Sequence, residues 1–312
     1  MTDQSEDIPV NLLLAITDDD LLPAATAVAE ALQKERNAKP SVIYVVELGA
    51  SVAEAGVFVA QFEEELRNPQ ALAKQVSEMR PVLHLDSSVT AAWPFEIAVG
   101  AVGREIVEAA QTNGSDLIVM GLNRHAAMSR AIGNDTAREV MAIAGVPVLA
   151  VRPQLAGLPA SVVIAVDFSR ASVRAARLAR QIADDNCSVH LLFIESDSPR
   201  ETTESVEGLQ LIRSKGVDEA FRDLIRALDP PAGMRVDTKV RRGKPVEEIT
   251  RFCEEIGPDL VAVGSQHHRF LDRLLLGSVA RSIAAEGRWS MLVTPPERGD
   301  HTPSSGEPAE VR

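Results

Sequence analysis

Short aliphatic runs recur along the chain and are separated by longer amphipathic stretches. In the second half the runs fall at 161–167, 188–194, 234–241, 259–264 and 290–294. Between them, apolar positions at helical spacing predict helices over 171–185, 203–228, 245–256 and 277–287. The stretch from 245 shows the logic: Val246, Ile249 and Cys253 share one helical face, and Pro245 stands in the first turn, where its missing N–H costs nothing. In the first half the runs lie at 11–17, 41–47, 94–99, 116–121 and 147–152. Strands alternating with helices predict a parallel sheet with right-handed crossovers. Runs such as Leu12–Ile16 and Val162–Val166 are aliphatic, as in strands buried on both faces.

The two halves repeat each other. Gly100-Ala-Val-Gly-Arg-Glu-Ile106 matches Gly243-Lys-Pro-Val-Glu-Glu-Ile249, and Asp116-Leu-Ile-Val-Met-Gly121 matches Asp259-Leu-Val-Ala-Val-Gly264, both pairs standing 143 positions apart. Pro147-Val-Leu-Ala-Val151 and Ser290-Met-Leu-Val-Thr294 keep the same separation. Leu12–Ile16 and Val162–Val166 stand 150 apart, so the first half has the longer middle. A shared offset across separated features identifies a tandem duplication. The predicted fold class is α/β: two tandem Rossmann-like domains, each a five-stranded parallel sheet flanked by helices. The expected division is 1–152, a linker at 153–159 (PQLAGLP), 160–295, and a polar tail at 296–312 with too little to bury for a fixed structure.

Composition fits this architecture. The 312 residues suffice for two domains, and with aromatics at only 4% the cores must be aliphatic. The net charge of −13 opposes binding to a phosphate backbone or an anionic membrane surface, so neither nucleic acid nor membrane is an expected partner. A small anion remains possible, because amide groups at a helix start act locally. Two cysteines, Cys187 and Cys253, form neither a disulfide framework nor a zinc spacing, and both are expected to be small buried apolar residues. The acidic start MTDQSEDIPV lacks a signal-peptide pattern, and no apolar run approaches the ~20 residues of a membrane span, so the expected location is the cytoplasm.

Candidate chemistry gathers where strands end, since open α/β sheets bind ligands beyond the carboxyl ends of their strands. In the second half these positions are Asp167, Ile194, Gly243 and the segment Gly264-Ser-Gln-His267-His-Arg269-Phe-Leu-Asp-Arg273-Leu-Leu-Leu-Gly277-Ser278-Val279. Gly264 is read as a sharp turn off the strand. Gly277-Ser278 begins a helix whose unpaired amides and dipole favour an anion. Each feature has a plainer reading as well: Gly264 as a strand-end turn, and Ser278 or Asp167 as a helix cap, with Ser169 competing for Asp167's role. His267 and His268 lack partners at ligand spacing and read as solvated loop histidines, and Arg241-Arg242 as an exposed strand end.

In this order, twice, the features resemble the universal stress protein family, whose signature is Gly, two residues, Gly, nine residues, Gly, then Ser or Thr after the fourth strand. Gly264, Gly277 and Ser278 match it at the right spacing, and Asp167, Gly243-Lys-Pro245 and Asp259–Gly264 resemble further family features. His267 replaces the middle glycine. It either closes the loop or swings out as a donor. The resemblance implies an adenine nucleotide alpha hydrolase-like fold. It also implies ATP, with or without Mg²⁺, held by Asp167 at the ribose, by the Ile194 backbone at the adenine, and by Gly264, Gly277, Ser278 and Val279 along the phosphates. It further implies an intramolecular pseudo-dimer through 147–152 and 290–294, with a homodimer of chains left open.

The first half departs further. Thr17 stands in the place of Asp167, Val46 and Glu47 on the adenine side, and Arg124 at the middle glycine. Gly133 comes one residue early, followed by Asn134-Asp135. It is expected to bind ATP poorly. The leading expectation is a stress-response regulator that binds ATP mainly through its second half. The alternatives are an interaction scaffold without nucleotide and a slow Mg²⁺-dependent ATPase. No P-loop, dinucleotide fingerprint or Gly-x-Ser-x-Gly elbow is present, and no catalytic trio can be named.

Overall fold

A computed structural model describes residues 11–16, 22–46, 74, 77–78, 83, 85, 87–122, 136–195, 215–265 and 276–295. In the first half β1 (Asn11–Ile16), α1 (Leu22–Arg36), β2 (Lys39–Val46), β3 (Phe95–Val99), α2 (Val102–Thr112), β4 (Leu117–Gly121), α3 (Thr136–Ile143) and β5 (Val148–Val151) follow one another. The second half runs β6 (Ser161–Ala165), α4 (Arg170–Ile182), β7 (Ser188–Glu195), α5 (Val217–Leu228), β8 (Arg235–Arg242), α6 (Pro245–Ile256), β9 (Leu260–Gly264), α7 (Ser278–Glu286) and β10 (Ser290–Thr294). The alternation expected from the aliphatic runs is therefore present, with ends shifted by a few residues. The helix expected over 203–228 differs within its described part. Gly216 takes φ 83 at the N-cap of α5, a conformation that suits glycine, and the helix starts there afresh.

All ten strands among the described residues form one sheet, ordered β3-β2-β1-β4-β5-β10-β9-β6-β7-β8. Within each half every neighbour is parallel and the order repeats as third, second, first, fourth, fifth. Between the halves β5 and β10 pair antiparallel, with Leu149 opposite Leu292. The pairing expected through 147–152 and 290–294 is thus how the two halves meet.

Successive side chains of a strand point to opposite faces, so each aliphatic run feeds two cores. Leu12, Leu14, Val162 and Ile164 pack under α1, α4 and α5. Leu13, Ala15, Val163, Val261 and Val263 pack under α2, α3, α6 and α7. Each core spans both halves. On the first face Arg36, in the last turn of α1, donates to Gln181 O (2.8 Å) and Ala183 O (2.6 Å) at the end of α4 and pairs with Asp185 (2.7 Å). A guanidinium there meets carbonyls that the helix leaves unpaired and the negative end of its dipole. The connecting segment is also held, for Leu155 is buried against the same core. None of the described helices is long and apolar enough to cross a membrane.

Cys187 and Cys253 are fully buried, one in each core. Burial pushes both thiols up to about 12, helped at Cys187 by the nearby carboxylates of Asp259 and Asp184. The thiolate is the reactive form. Neither cysteine is expected to react with a maleimide or disulfide reagent at pH 8 until the chain unfolds, when two thiols per chain should label. Rapid labelling of the native protein would contradict this burial.

Candidate functional site

The strand order sets the location. In the second half the crossovers leave in opposite directions from β6 and β9, and ligands of open α/β sheets bind at such a switch point. Ala165 lies beside Val263, so Asp167 and Gly264 emerge at the same edge.

The turn after β6 is tightly built. Asp167 Oδ1 accepts from Ser169 N (3.0 Å) and Ser169 Oγ (2.6 Å), while the Asp167 N–H donates to Ser172 Oγ (3.3 Å). Ser169 is the N-cap of α4 and accepts from Ser172 N (3.2 Å). The cap role therefore belongs to Ser169, and Asp167 braces it from outside the helix. Phe168 between them holds φ 58, a costly conformation for a bulky residue. Its buried ring packs on Phe193 (centroids 5.5 Å) and Phe221 (5.1 Å), which holds the strained turn in place.

Ile194 sits near the end of β7, and its side chain is buried in the α6–α7 core. The ladder to β6 ends at Ala165 and Leu192, closed by Val166 N–H to Leu192 O (2.9 Å). In a parallel strand backbone groups alternate sides, so the Ile194 groups point the same way as those of Leu192, toward the gap beyond β6.

Gly264 is not the strained turn expected of it, since it is absent from the positive-φ glycines. The requirement is one of contact: a Cβ there would lie 2.5 Å from the backbone of Ala171 and Ser172. Gly264 lets β9 pass directly against the first turn of α4, just after Asp167 and the Ser169 cap. Gly277 differs, because among the described residues a Cβ on it would meet nothing within 4 Å. It is the N-cap of α7 in extended conformation (φ −55, ψ 152), so the glycine is not demanded by the fold.

Ser278 and Val279 begin α7 and line an open cleft of about 300 Å³ with Ser282, Lys244, Pro245, Val246 and Glu247. This volume is at the lower end for small-molecule sites. Two helices thus present their N-termini to one space. Neither α6 nor α7 has a side-chain capping hydrogen bond, whereas α4 has one from Ser169. First-turn amides without a cap seek another acceptor, and two converging dipole ends favour an anion.

Lys244, Glu247 and Ser282 were not among the sequence candidates. A signal was present at Lys244: a lysine at an N-cap offers no acceptor to the helix and opposes its dipole. Arg241 is corrected. It is not an exposed strand end, being only 15% exposed, paired with Glu248 (3.7 Å) and Glu255, and placed over the Phe252 ring at 4.8 Å. Arg242 does face outward and pairs with Glu195 (2.7 Å). His267, His268, Arg269 and Arg273 lie outside the described residues, as do Thr17, Glu47, Arg124, Gly133, Asn134 and Asp135 of the first half and the tail 296–312. Among the described residues no group of three or more His, Cys, Asp or Glu could hold a metal ion.

Comparison with known proteins agrees with this layout. The model of the universal stress protein family matches residues 11–152 and again residues 160–295. A universal stress protein of Methanocaldococcus jannaschii is 28% identical over 135 residues, covering 42% of this chain and 79% of its own. A universal stress protein structure from Archaeoglobus fulgidus aligns with a TM-score of 0.60 at 18% identity, over 93% of this chain and 99% of the other. A putative universal stress protein from Pseudomonas aeruginosa aligns with a TM-score of 0.58 at 14% identity, over 93% and 94%. At these identities the two structures speak for the fold.

Proposed function

The chain belongs to the universal stress protein family, and from that premise we propose that it is a nucleotide-responsive regulator that binds ATP through its second half. The observation carrying this reading is the cleft between the N-termini of α6 and α7, whose N-cap residues make no side-chain cap hydrogen bond. Asp167 takes the ribose hydroxyls, from its place at the end of β6 beside Gly264. The Ile194 backbone faces the adenine. Gly264, Gly277, Ser278 and Val279 line the path of the phosphates, with His267 as a further nucleotide contact. Mg²⁺, where it enters, comes with the phosphates. The units are 1–152, with a degenerate loop, and 160–295, joined by 153–159. The protein works in the cytoplasm through its bound state, not by fast turnover.

Titration of nucleotide-free protein with ATP and Mg²⁺ tests this, with one site per chain expected. Gly277→Val is the sharpest variant, because nothing crowds a side chain there. It is expected to cost the fold about 1 kcal/mol or less as a changed N-cap. ATP binding should weaken at least about tenfold, roughly 1.4 kcal/mol, since the new side chain fills the phosphate path. Asp167→Ala should weaken ATP and adenosine alike. Wild-type affinity in the Asp167→Ala, Gly277→Val double variant would end the nucleotide reading, and an interaction scaffold would take its place.

A further inference from the structure

Phenylalanine is an unexpected residue after Asp167. At φ 58 a glycine would sit without cost, whereas a bulky side chain is strained there. Such strain persists only where the surroundings over-determine it. Here they do: the Phe168 ring is buried, tilted against Phe193 of β7 (centroids 5.5 Å) and edge-on to Phe221 of α5 (5.1 Å). Three of the chain's eight phenylalanines thus meet at one turn, in a core that is otherwise mostly aliphatic. By the offset of 150 that relates the starts of the two halves, the first half carries Thr17 and Asp18 in place of Asp167 and Phe168. It lacks the carboxylate and the ring together.

The turn transmits this packing to the carboxylate. The Ser169 N–H that Asp167 Oδ1 accepts (3.0 Å) belongs to the peptide that follows Phe168, so the Phe168 dihedrals set its direction. The Ser169 hydroxyl, held by the same oxygen (2.6 Å), moves with it. If Phe168 relaxes to negative φ, both donors swing and Asp167 loses the orientation they give it. The ring contacts oppose that relaxation. Phe221 belongs to a helix that supplies no other residue to the proposed site.

We propose that Phe168 is the positioning residue for Asp167: its ring, gripped by Phe193 and Phe221, aims the carboxylate at the ribose hydroxyls and ties their recognition to the packing of α5. The proposal rests on the nucleotide reading above and concerns its sugar end alone. Coupling of this kind is reciprocal, so a ribose held by Asp167 in turn steadies α5.

The test is titration of the full chain with ATP and with dideoxy-ATP, the analogue without ribose hydroxyls, each variant being titrated below its own melting temperature. Wild type is expected to favour ATP by about tenfold or more, since hydrogen bonds to a charged group are the stronger ones. Asp167→Ala should bring the two nucleotides within about twofold. Phe221→Leu keeps a large apolar side chain in the core but removes the ring edge on Phe168. It should weaken ATP by about threefold to tenfold and leave dideoxy-ATP within about twofold. Phe168→Gly accepts the same φ without strain yet leaves the turn unheld, and should lose the preference likewise. Added to Asp167→Ala, Phe221→Leu should have no further effect on ATP, because it acts through a group already removed. A loss shared equally by both nucleotides, or a preference that survives in both phenylalanine variants, is the behaviour of a purely structural core. Either would overturn the proposal and leave the nucleotide reading standing. A wild type that binds the two nucleotides equally would remove the ribose role of Asp167 and the proposal with it. A wild type that binds neither would remove the nucleotide reading as well.

Discussion

Replacing Gly264 with alanine is expected to destabilise the chain by about 3 kcal/mol or more. The new methyl would sit 2.5 Å from the main chain of Ala171 and Ser172, and main chain cannot rotate away as a side-chain tip can. Strand β9 is held on both sides, by β6 and by β10, and its exit is tied by Ser265 N–H to Thr294 O (2.8 Å). The remaining way out is for the first turn of α4 to lift, which would disturb Ser169, Asp167 and the strained Phe168 together. Thermal melting should show a loss of roughly 6–12 °C. ATP binding should weaken even below that melting point, because Asp167 moves with the turn. Gly277→Val, at the N-cap of α7, should instead melt close to wild type. Equal stability of Gly264→Ala and wild type would mean that β9 and α4 are not in the contact described.

The second large effect concerns the seam between the halves. Leu149 and Leu292 face each other across the antiparallel β5–β10 pair, and both are fully buried in the core shared with α1 and α4. Each truncation to alanine should cost about 2–5 kcal/mol in urea unfolding, from lost burial and the cavity left behind. The double variant should depart from additivity by about 0.5–3 kcal/mol, since both changes empty one shared space. Additive costs would show that the two leucines do not share a cavity and that the seam is looser than described. The same experiment asks whether the halves unfold as one. A continuous sheet with two cores running through both halves predicts a single transition.

Much of this architecture was legible before any coordinates. Aliphatic runs such as Leu12–Ile16 and Val162–Val166 carry their own strand signal, because a strand buried on both faces admits nothing else. The duplication was legible because it repeats spacing, and spacing survives where individual residues change. The helix expected over 203–228 was less secure. Apolar periodicity continued through Gly216, but the backbone there turns to positive φ and begins α5 again. Arg241 was misread for a related reason. Two adjacent arginines look alike in sequence, yet strand alternation sends Arg241 onto Phe252 and Arg242 toward Glu195.

The candidate site divides along the same line. The sequence by itself determined which residues stand at strand ends and helix starts: Asp167, Ile194, Gly264, Gly277 and Ser278. Local periodicity and turn chemistry fix those positions within a few neighbours along the chain. Only the tertiary structure decided what each one faces. It made Gly264 a contact glycine against α4, left Gly277 uncrowded among the described residues, and brought Lys244 and Glu247 into one cleft with Ser278. Those meetings depend on the order in which strands assemble and on two helices, distant in the chain, starting side by side. No local pattern records that order. It is set by how the inner strands of the sheet bury both faces at once.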